Sequence, residues 1–474
     1  MAASAATLVI GGVRAILLAR WLAPADFGLV ALGLVYLGLV GYLMSGSLGM
    51  IYIGQRERTP AFVGTWVAVR LLLGLGGAVL LLLLTPIVAH AYPNGGDLRW
   101  VMLALAPVLV LRKLGDIQGA VLRAELRFGK LAWLDLASSL SMTIVALSLA
   151  WAGFGWWALV FEPLAGATAR TILAWTVWRA WSGRLAWDRD VLRSIWEQAK
   201  HNWVSGNLGY LLDQFDDFWV GTALGTVALG VYSRAYEMAG YPRRMLGIPL
   251  VRVVGALYGR ALDDRLRLSQ LFFRASSALL RANCLVGGLL ALALPEFITY
   301  VIGAKWQPIL WPFRLMLIYV ALDAVLILAG NLMQAVGRPS ALRKSRLVQL
   351  VTFVPAVIVG AALWGVSGVA VAADLMLVLG GAYLVGELRQ VVDMNLWRLV
   401  GWPALALAAG FGAGWWVGEA VTLGPLLTLL SRWAAFGVVF GGGLWLVEGA
   451  DYWRSLRWLW DVALARVRRG MRPR

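Results

Sequence analysis

Residues 71–84 read LLLGLGGAVLLLLL, a run with no charged or hydrogen-bonding side chain. A bilayer is crossed by about 20 apolar residues in one helix, and this run lies at the centre of such a stretch. Similar runs are centred on residues 285–294 and 404–414. Of the 474 residues, 61% are hydrophobic and 14% are charged, which cannot supply the polar surface of a soluble protein of this size. The sequence therefore predicts an all-α polytopic membrane protein.

Hydropathy predicts about fourteen transmembrane helices. Met1–Leu22 is apolar from its first residue, and its basic residues, Arg14 and Arg20, lie near its end. A signal peptide has its basic residues at the start, so we interpret this segment as the first span. The predicted spans are 2–22, 28–53, 62–91, 98–120, 131–152, 155–178, 203–224, 231–258, 271–302, 308–336, 347–364, 367–386, 399–418 and 425–447.

The connections between these spans alternate in charge. One set, with the C-terminal tail, carries 27 basic residues, whereas the opposite set carries Lys305, with Arg99 at a boundary. Because basic loops stay on the cytoplasmic side, the first set is predicted to lie inside. Both termini are then cytoplasmic and the number of spans is even.

A short internal repeat suggests how the spans are grouped. Leu22–Val30 reads LAPADFGLV and Leu224–Tyr232 reads LGTVALGVY, with leucine, an apolar residue and glycine at the same spacing. Both stretches are the first outer corner of a six-span block, although coincidence remains an alternative for so short a match. The predicted organisation is a six-helix lobe at 1–180, a cytoplasmic linker at 181–202, a second six-helix lobe at 203–390, two additional helices at 391–450 and a basic tail at 451–474. The linker is predicted either as an amphipathic helix on the membrane surface or as a solvated connection.

Charged residues inside membrane helices are costly and usually face a cavity or a partner. In span eight, Arg234, Glu237, Tyr241 and Arg252 lie within about 60° of one another on a helix, and Arg244 lies near the edge of this stripe. Two prolines in the span should kink the helix. A basic stripe along a bilayer-spanning helix suits an anionic substrate, because guanidinium groups match phosphate oxygens.

Span seven carries Asp213, Asp216 and Asp217 on one helical face. These carboxylates are predicted either to pair with the arginines of span eight or to bind a coupling cation. The same two alternatives apply to Glu237, Asp323 and Asp374.

Several kinds of chemistry have no support in the sequence. We find no Walker A motif, no nucleophile motif and no cluster of metal ligands, since Cys284 is the single cysteine and His90 and His201 are far apart. The net charge of +17 is spread between apolar spans rather than gathered in a patch, which favours membrane lipid over nucleic acid as the partner. We predict no catalytic residues, cofactor or metal, and no enzyme activity.

Short motifs along residues 10–375 resemble the Wzx-type oligosaccharide flippases, the polysaccharide transporter family of the MOP superfamily. They are ARWLAPADFG at Ala19–Gly28, GSLG at Gly46–Gly49, DDFWVG at Asp216–Gly221, LGVYSRAY at Leu229–Tyr236, GAKW at Gly303–Trp306 and QAVGRP at Gln334–Pro339.

The resemblance implies a MOP/MATE-like fold of two six-helix lobes around a central cavity, working by alternating access in the bacterial inner membrane. It implies a polyprenyl-pyrophosphate-linked oligosaccharide as substrate, moved from the inner to the outer leaflet. Cavity arginines of the peptidoglycan-precursor flippases in the superfamily match Arg14 and Arg234 by spacing. A third has no counterpart, since residues 42–48 are uncharged, which favours an exopolysaccharide or O-antigen unit. The candidate substrate-binding residues are Arg14, Arg70, Arg234, Tyr241, Arg244, Arg252 and Arg281.

Expected partners are the lipid-linked oligosaccharide, membrane lipids, a polysaccharide polymerase and glycosyltransferases. One alternative is a drug–cation antiporter of the same superfamily, which would prefer an acidic cavity. Another is a membrane-embedded polymerase or ligase, which usually carries a large outer loop.

Overall fold

The computed structural model describes residues 2–45, 48–55, 57–93, 95–421, 424–449 and 457. In these ranges the chain is almost entirely helical. The α-helices are α1 (Ala2–Trp21), α2 (Pro24–Leu43), α3 (Leu48–Gly54), α4 (Pro60–Ala91), α5 (Gly95–Ala124), α6 (Phe128–Trp151), α7 (Trp157–Thr176), α8 (Arg189–Trp219), α9 (Thr226–Ala239), α10 (Ile248–Tyr258), α11 (Arg265–Phe297), α12 (Leu310–Ala335), α13 (Pro339–Leu388), α14 (Trp402–Ala420) and α15 (Pro425–Glu448). Residues 46–47, part of one motif above, and most of the predicted basic tail lie outside the described residues.

Eight described helices are long and apolar enough to cross a membrane, so the multi-pass prediction is confirmed while the number fourteen is not. Of the other helices, α9 and α10 have only 14 and 11 residues, and α5 and α8 carry several charged side chains each. Their neighbours expose large apolar side chains, such as Leu83 and Ile87 on α4 and Val438 and Leu446 on α15. Exposed apolar faces of this kind mark surfaces that meet lipid.

One of the eight helices, α13, has a break in its middle. Within α13 the backbone leaves the helical region at Trp364 and Gly365, where Gly365 has φ +56°. This break lies between the predicted spans 347–364 and 367–386. Gly360 and Gly368 lie on opposite sides of it, and a methyl group added to either would come within 2.5 Å of the other's backbone. The two glycines therefore allow the arms of α13 to fold back closely on each other.

Only residues 181–188 of the predicted linker 181–202 form a connection between helices. Residues 179–188 form no regular secondary structure. The side chain of Asp188 accepts hydrogen bonds from the N–H groups of Asp190 and Val191 and so begins α8. From Arg189 the helix continues without interruption into the predicted seventh span. Residues 189–202 are thus the first turns of α8 rather than a separate surface helix.

The two corners of the internal repeat contact each other. A methyl group added at Gly28 would overlap the carbonyl oxygen of Thr226 and lie 2.8 Å from the nitrogen of Gly230. A methyl group added at Gly230 would overlap the carbonyl oxygen of Pro24 and lie 3.0 Å from the nitrogen of Gly28. The contact is reciprocal. Pro24 and Thr226 hold the same position in the two copies of the repeat, and each of them meets the glycine of the other copy. Glycine at both positions lets the first turns of α2 and α9 touch backbone to backbone.

The chain divides into two compact units, Met1–Ser233 and Arg234–Arg474. In the first unit a cluster of buried side chains surrounds Trp66, whose indole N–H donates to the carbonyl of Leu48 at 2.9 Å. In the second unit a cluster of buried side chains surrounds Tyr258 and Phe272.

Candidate functional site

Span eight contains the predicted basic stripe but is not one continuous helix. A π-helical segment, Arg243–Gly247, separates α9 from α10, close to Pro242, which has no N–H to donate. The predicted kink is therefore present. Because the helix is interrupted, the stripe predicted for one regular helix does not continue to Arg252. The side chain of Arg252 lies outside the described part of the structure.

The α9 basic segment, which we define as Arg234, Glu237, Tyr241 and Arg244, is half-buried to exposed. Arg234 forms an ion pair with Glu237 one turn later at 2.6 Å. The guanidinium of Arg244 lies over the ring of Tyr241, 5.8 Å from its centroid, and Arg244 has no acidic partner among the described side chains. The segment therefore retains positive charge that an anionic group can neutralise.

Arg243, next to Arg244, was not singled out from the sequence, although it forms the ion pair with the buried carboxylate of Asp323 at 2.8 Å. Asp323 also borders a polar cavity of about 130 Å³ between α12 and α13, which we call the α12–α13 cavity. Its other polar lining residues are Asn331, Gln334, Ser345, Arg346 and Gln349. The sequence signal for this cavity is the polar side chains in otherwise apolar helices.

The carboxylates of α8 do not all have the partners considered from the sequence. Asp216 accepts a hydrogen bond from the hydroxyl of Tyr232 at 2.5 Å, and no arginine pairs with it among the described side chains. One carboxylate oxygen each of Asp216 and Asp217 is buried without a hydrogen-bond partner among the described residues. Asp213, one turn earlier, is exposed. Asp374 on α13 also has a buried oxygen without a partner in the described structure.

Two predicted substrate arginines have partners within their own units. Arg14 forms an ion pair with Glu162 at 3.1 Å and contacts the Thr143 hydroxyl at 3.3 Å. Arg281 forms an ion pair with Glu448 at 2.6 Å, and their side chains are 5% and 2% exposed. The packing of α11 against α15 encloses the second pair, so Glu448 neutralises the charge of Arg281 in this structure.

Arg70 has a longer ion pair than either of these arginines. It is 6% exposed and stacks on Trp66 at 4.9 Å, and its nearest carboxylate oxygen, on Asp116, lies 3.5 Å away. Two of its nitrogens, Nε and Nη1, are buried without a hydrogen-bond partner among the described residues. Of the candidate residues described in the first unit, Arg70 is the basic side chain with the greatest unmet hydrogen-bonding capacity.

A second, apolar cavity of about 420 Å³ lies between α11, α12 and α14. Arg314 at its edge lies 5.0–5.5 Å from the ring centroids of Trp311, Phe411 and Trp415. This cavity was not predicted, because it depends on how three distant helices pack.

Comparisons with known proteins agree with this architecture. The family described as "Polysaccharide biosynthesis protein" matches residues 17–311. The lipopolysaccharide biosynthesis protein WzxC of Escherichia coli K12 is 23% identical over 378 residues, covering 77% of this chain and 75% of WzxC. The succinoglycan biosynthesis transport protein ExoT of Rhizobium meliloti is 27% identical over 315 residues, covering 62% and 59% of the two chains.

Two solved structures share the fold. The lipid II flippase MurJ in an inward closed conformation superimposes with a TM-score of 0.75 at 11% identity, covering 94% of this chain and 97% of that one. An inward-facing multidrug resistance MATE transporter of the MOP superfamily gives a TM-score of 0.60 at 14% identity, covering 81% and 95%. The MOP/MATE-like fold class predicted from the sequence is confirmed.

Proposed function

Because the chain belongs to the polysaccharide biosynthesis protein family, we propose that it is a flippase for polyprenyl-pyrophosphate-linked oligosaccharides. It carries an exopolysaccharide or O-antigen repeat unit from the inner to the outer leaflet of the bacterial inner membrane by alternating access. WzxC and ExoT, by their names, serve lipopolysaccharide and succinoglycan biosynthesis, which supports this substrate class. The protein is a transporter and not an enzyme.

The observation that carries the proposal is the α9 basic segment within a chain of apolar helices. A pyrophosphate group that leaves the headgroup region loses its hydration and needs fixed positive charge in exchange. Arg244, exposed and without an acidic partner among the described side chains, supplies such charge, and Arg234 supplies more when its ion pair with Glu237 opens. Guanidinium groups hold phosphate oxygens with two parallel hydrogen bonds, so they favour an anion over a cationic drug.

The glycan needs hydrogen-bonding groups rather than charge. The α12–α13 cavity offers amide and carboxylate side chains in the same unit as Arg244, and such side chains bond sugar hydroxyls. Asp216 and Asp217 are the candidates for binding a coupling cation, with structural pairing as their other role. Arg14 belongs to the proposed cavity only when its ion pair with Glu162 opens.

The one-sided distribution of basic residues supports an orientation with both termini in the cytoplasm. In this orientation the substrate arrives from the membrane-associated glycosyltransferases that build it on the inner leaflet. A polysaccharide polymerase then uses the product on the outer leaflet.

The site is tested by reconstituting the protein in liposomes with a fluorescent polyprenyl-pyrophosphate oligosaccharide and measuring its transfer between leaflets. We expect Arg234→Ala with Arg244→Ala to slow transfer at least tenfold, since each charge-assisted hydrogen bond contributes about 1.5–3 kcal/mol. Arg260→Ala, an exposed arginine just beyond α10, is the matched control and should transfer at the wild-type rate. Undiminished transfer in the double variant would remove the site assignment but leave the function.

A further inference from the structure

Arg70 on α4 has far fewer hydrogen bonds than a buried guanidinium requires. Arginine has five N–H donors and cannot lose its charge at any ordinary pH. Here one nitrogen reaches Asp116 at 3.5 Å, the outer limit of a hydrogen bond, and Nε and Nη1 have no partner among the described residues. The guanidinium lies over the ring of Trp66, 4.9 Å from its centroid, and this contact satisfies none of these donors. A buried charge in this condition is stable only when another group neutralises it.

Asp116 is too weak a partner to explain the position of Arg70. Its side chain is 43% exposed, and its negative charge is shared with Arg112 and Lys113 on the same helix. Lys113 in turn is close enough to Arg70 for the two charges to repel. Pairing with Asp116 alone therefore leaves this part of the first unit positively charged.

More positive charge lies along the same face of α5. Arg112, Asp116, Gly119 and Arg123 follow at intervals of four, three and four residues, which places them in one stripe. At Gly119, a methyl group would lie 3.6 Å from a nitrogen of Arg170 on α7 and 3.7 Å from one of Arg123. The two guanidinium groups thus approach each other over the glycine. Only Arg170 has a carboxylate partner, Asp135, and Arg123 has none among the described residues.

We propose that these residues form a second anion site, the Arg70 site, which binds the pyrophosphate of the lipid-linked substrate. The Arg70 site consists of Arg70, Arg112, Lys113, Arg123 and Arg170, with Asp116 as the internal competitor of the anion. This inference rests on the proposed function for the identity of the substrate. The ligand chemistry is that of a pyrophosphate diester with two negative charges, whose oxygens accept the paired N–H groups of a fixed guanidinium. A membrane lipid headgroup or a water-soluble phosphate has the same chemistry, so the test compares these sources.

The test measures binding to the purified full-length protein in detergent by titration calorimetry. The background is Arg234→Ala with Arg244→Ala, so that binding at the α9 basic segment does not contribute. The probes are farnesyl diphosphate, inorganic pyrophosphate and dioleoylphosphatidylglycerol.

We expect farnesyl diphosphate to bind this background and to bind at least tenfold more weakly after Arg70→Gln. Asp116→Asn should act in the opposite direction and tighten binding several-fold, because it removes the competing carboxylate. Arg58→Gln is the matched control, since Arg58 also lies over an aromatic ring, Tyr52 at 5.2 Å, but is exposed and donates to two backbone carbonyls.

Three results would overturn the Arg70 site as a substrate site. One is unchanged binding of farnesyl diphosphate after Arg70→Gln. The second is equally tight Arg70-dependent binding of phosphatidylglycerol, which would assign the site to bulk anionic lipid. The third is equally tight Arg70-dependent binding of inorganic pyrophosphate, which would assign it to a soluble anion.

Ligand-free thermal stability separates this proposal from a purely structural role of Arg70. If Arg70 awaits a ligand, Arg70→Gln should unfold at or above the wild-type temperature, because an unsatisfied buried charge is removed. A structural pair would instead make Arg70→Gln and Asp116→Asn unfold at similarly lowered temperatures. These experiments measure binding and not transport. They therefore still decide whether the Arg70 site binds the ligand if the protein shows no flippase activity.

Discussion

Replacing Gly28 or Gly230 by alanine tests whether the reciprocal contact between α2 and α9 has the importance that its geometry indicates. In an exposed helix interior, glycine to alanine stabilises by up to about 1 kcal/mol. Here the new methyl group at Gly28 would lie 2.6 Å from the carbonyl carbon of Thr226, whereas ordinary contacts begin at 3.4 Å. The carbonyl oxygen of Thr226 lies closer still, so the two helices must separate by more than about 1 Å, and overpacking of this kind costs about 1–3 kcal/mol.

The reciprocal geometry makes a sharper prediction for the double variant. Once the helices have separated to admit the first methyl group, the second finds most of its space already open. We therefore expect each single variant to lose about 1–2 kcal/mol and the double variant to lose clearly less than their sum, with a coupling of about 1 kcal/mol. The measurement is thermal unfolding in detergent followed by tryptophan fluorescence, together with substrate transfer in liposomes from the same preparations.

Gly76→Ala is the matched control, because a methyl group on this glycine of α4 has no neighbour within 4 Å. It should unfold at or above the wild-type temperature. Additive losses in the double variant, or single variants as stable as Gly76→Ala, would refute the reciprocal contact.

Three further predictions concern partners of buried polar groups. Glu448→Ala should lower the free energy of unfolding by about 3–5 kcal/mol, because it leaves the charge of Arg281 buried without its carboxylate, as measured by thermal unfolding. Tyr232→Phe should cost about 1–3 kcal/mol in the same measurement, since it removes the hydroxyl that donates to the half-buried Asp216. Gln118→Ala should make the irregular segment before α8 cleavable by trypsin, because this fully buried amide makes three hydrogen bonds, at 2.8–3.0 Å, to the backbone of that segment.

Each of these has a control of the same residue type. Glu419→Ala, Tyr300→Phe and Gln198→Ala change exposed side chains and should leave unfolding and cleavage as in the wild type. If Glu448→Ala or Tyr232→Phe is as stable as the wild type, the corresponding contact does not stabilise the fold. If Gln118→Ala resists trypsin, its hydrogen bonds do not hold the segment in place.

Much of the helical architecture was predictable because the bilayer imposes one strong constraint. Apolar runs separated by glycine-containing corners located most of the helices, and Gly365 marked the break in α13. The predicted span 28–53 is wrong as one helix, because α2 ends at Leu43 and the short helix α3 begins at Leu48. The unbroken course of α8 was not predicted, since residues 189–202 are polar and resemble a connection. Helix continuity there depends on a good cap at Asp188 and on the absence of a breaking residue.

The candidate site was less predictable, because periodicity shows which face of its own helix a residue occupies but not which helix lies opposite. Arg14 and Arg281 looked available in sequence, yet Glu162 and Glu448 meet them from helices more than a hundred residues away. Arg243 was missed for the same reason, since its partner Asp323 lies on α12. Sequence patterns identified the charged residues correctly but could not separate structural pairs from residues with unmet charge.

The central claim is that this chain moves a pyrophosphate-linked glycan lipid across a bilayer. The most direct measurement is transfer of polyprenyl-pyrophosphate oligosaccharides from a panel of glycans between the leaflets of liposomes that contain the purified wild-type protein. We predict transfer well above that of protein-free liposomes for at least one glycan, and none of the corresponding lipid without pyrophosphate. Transfer no faster than in protein-free liposomes across the whole panel would contradict the claim.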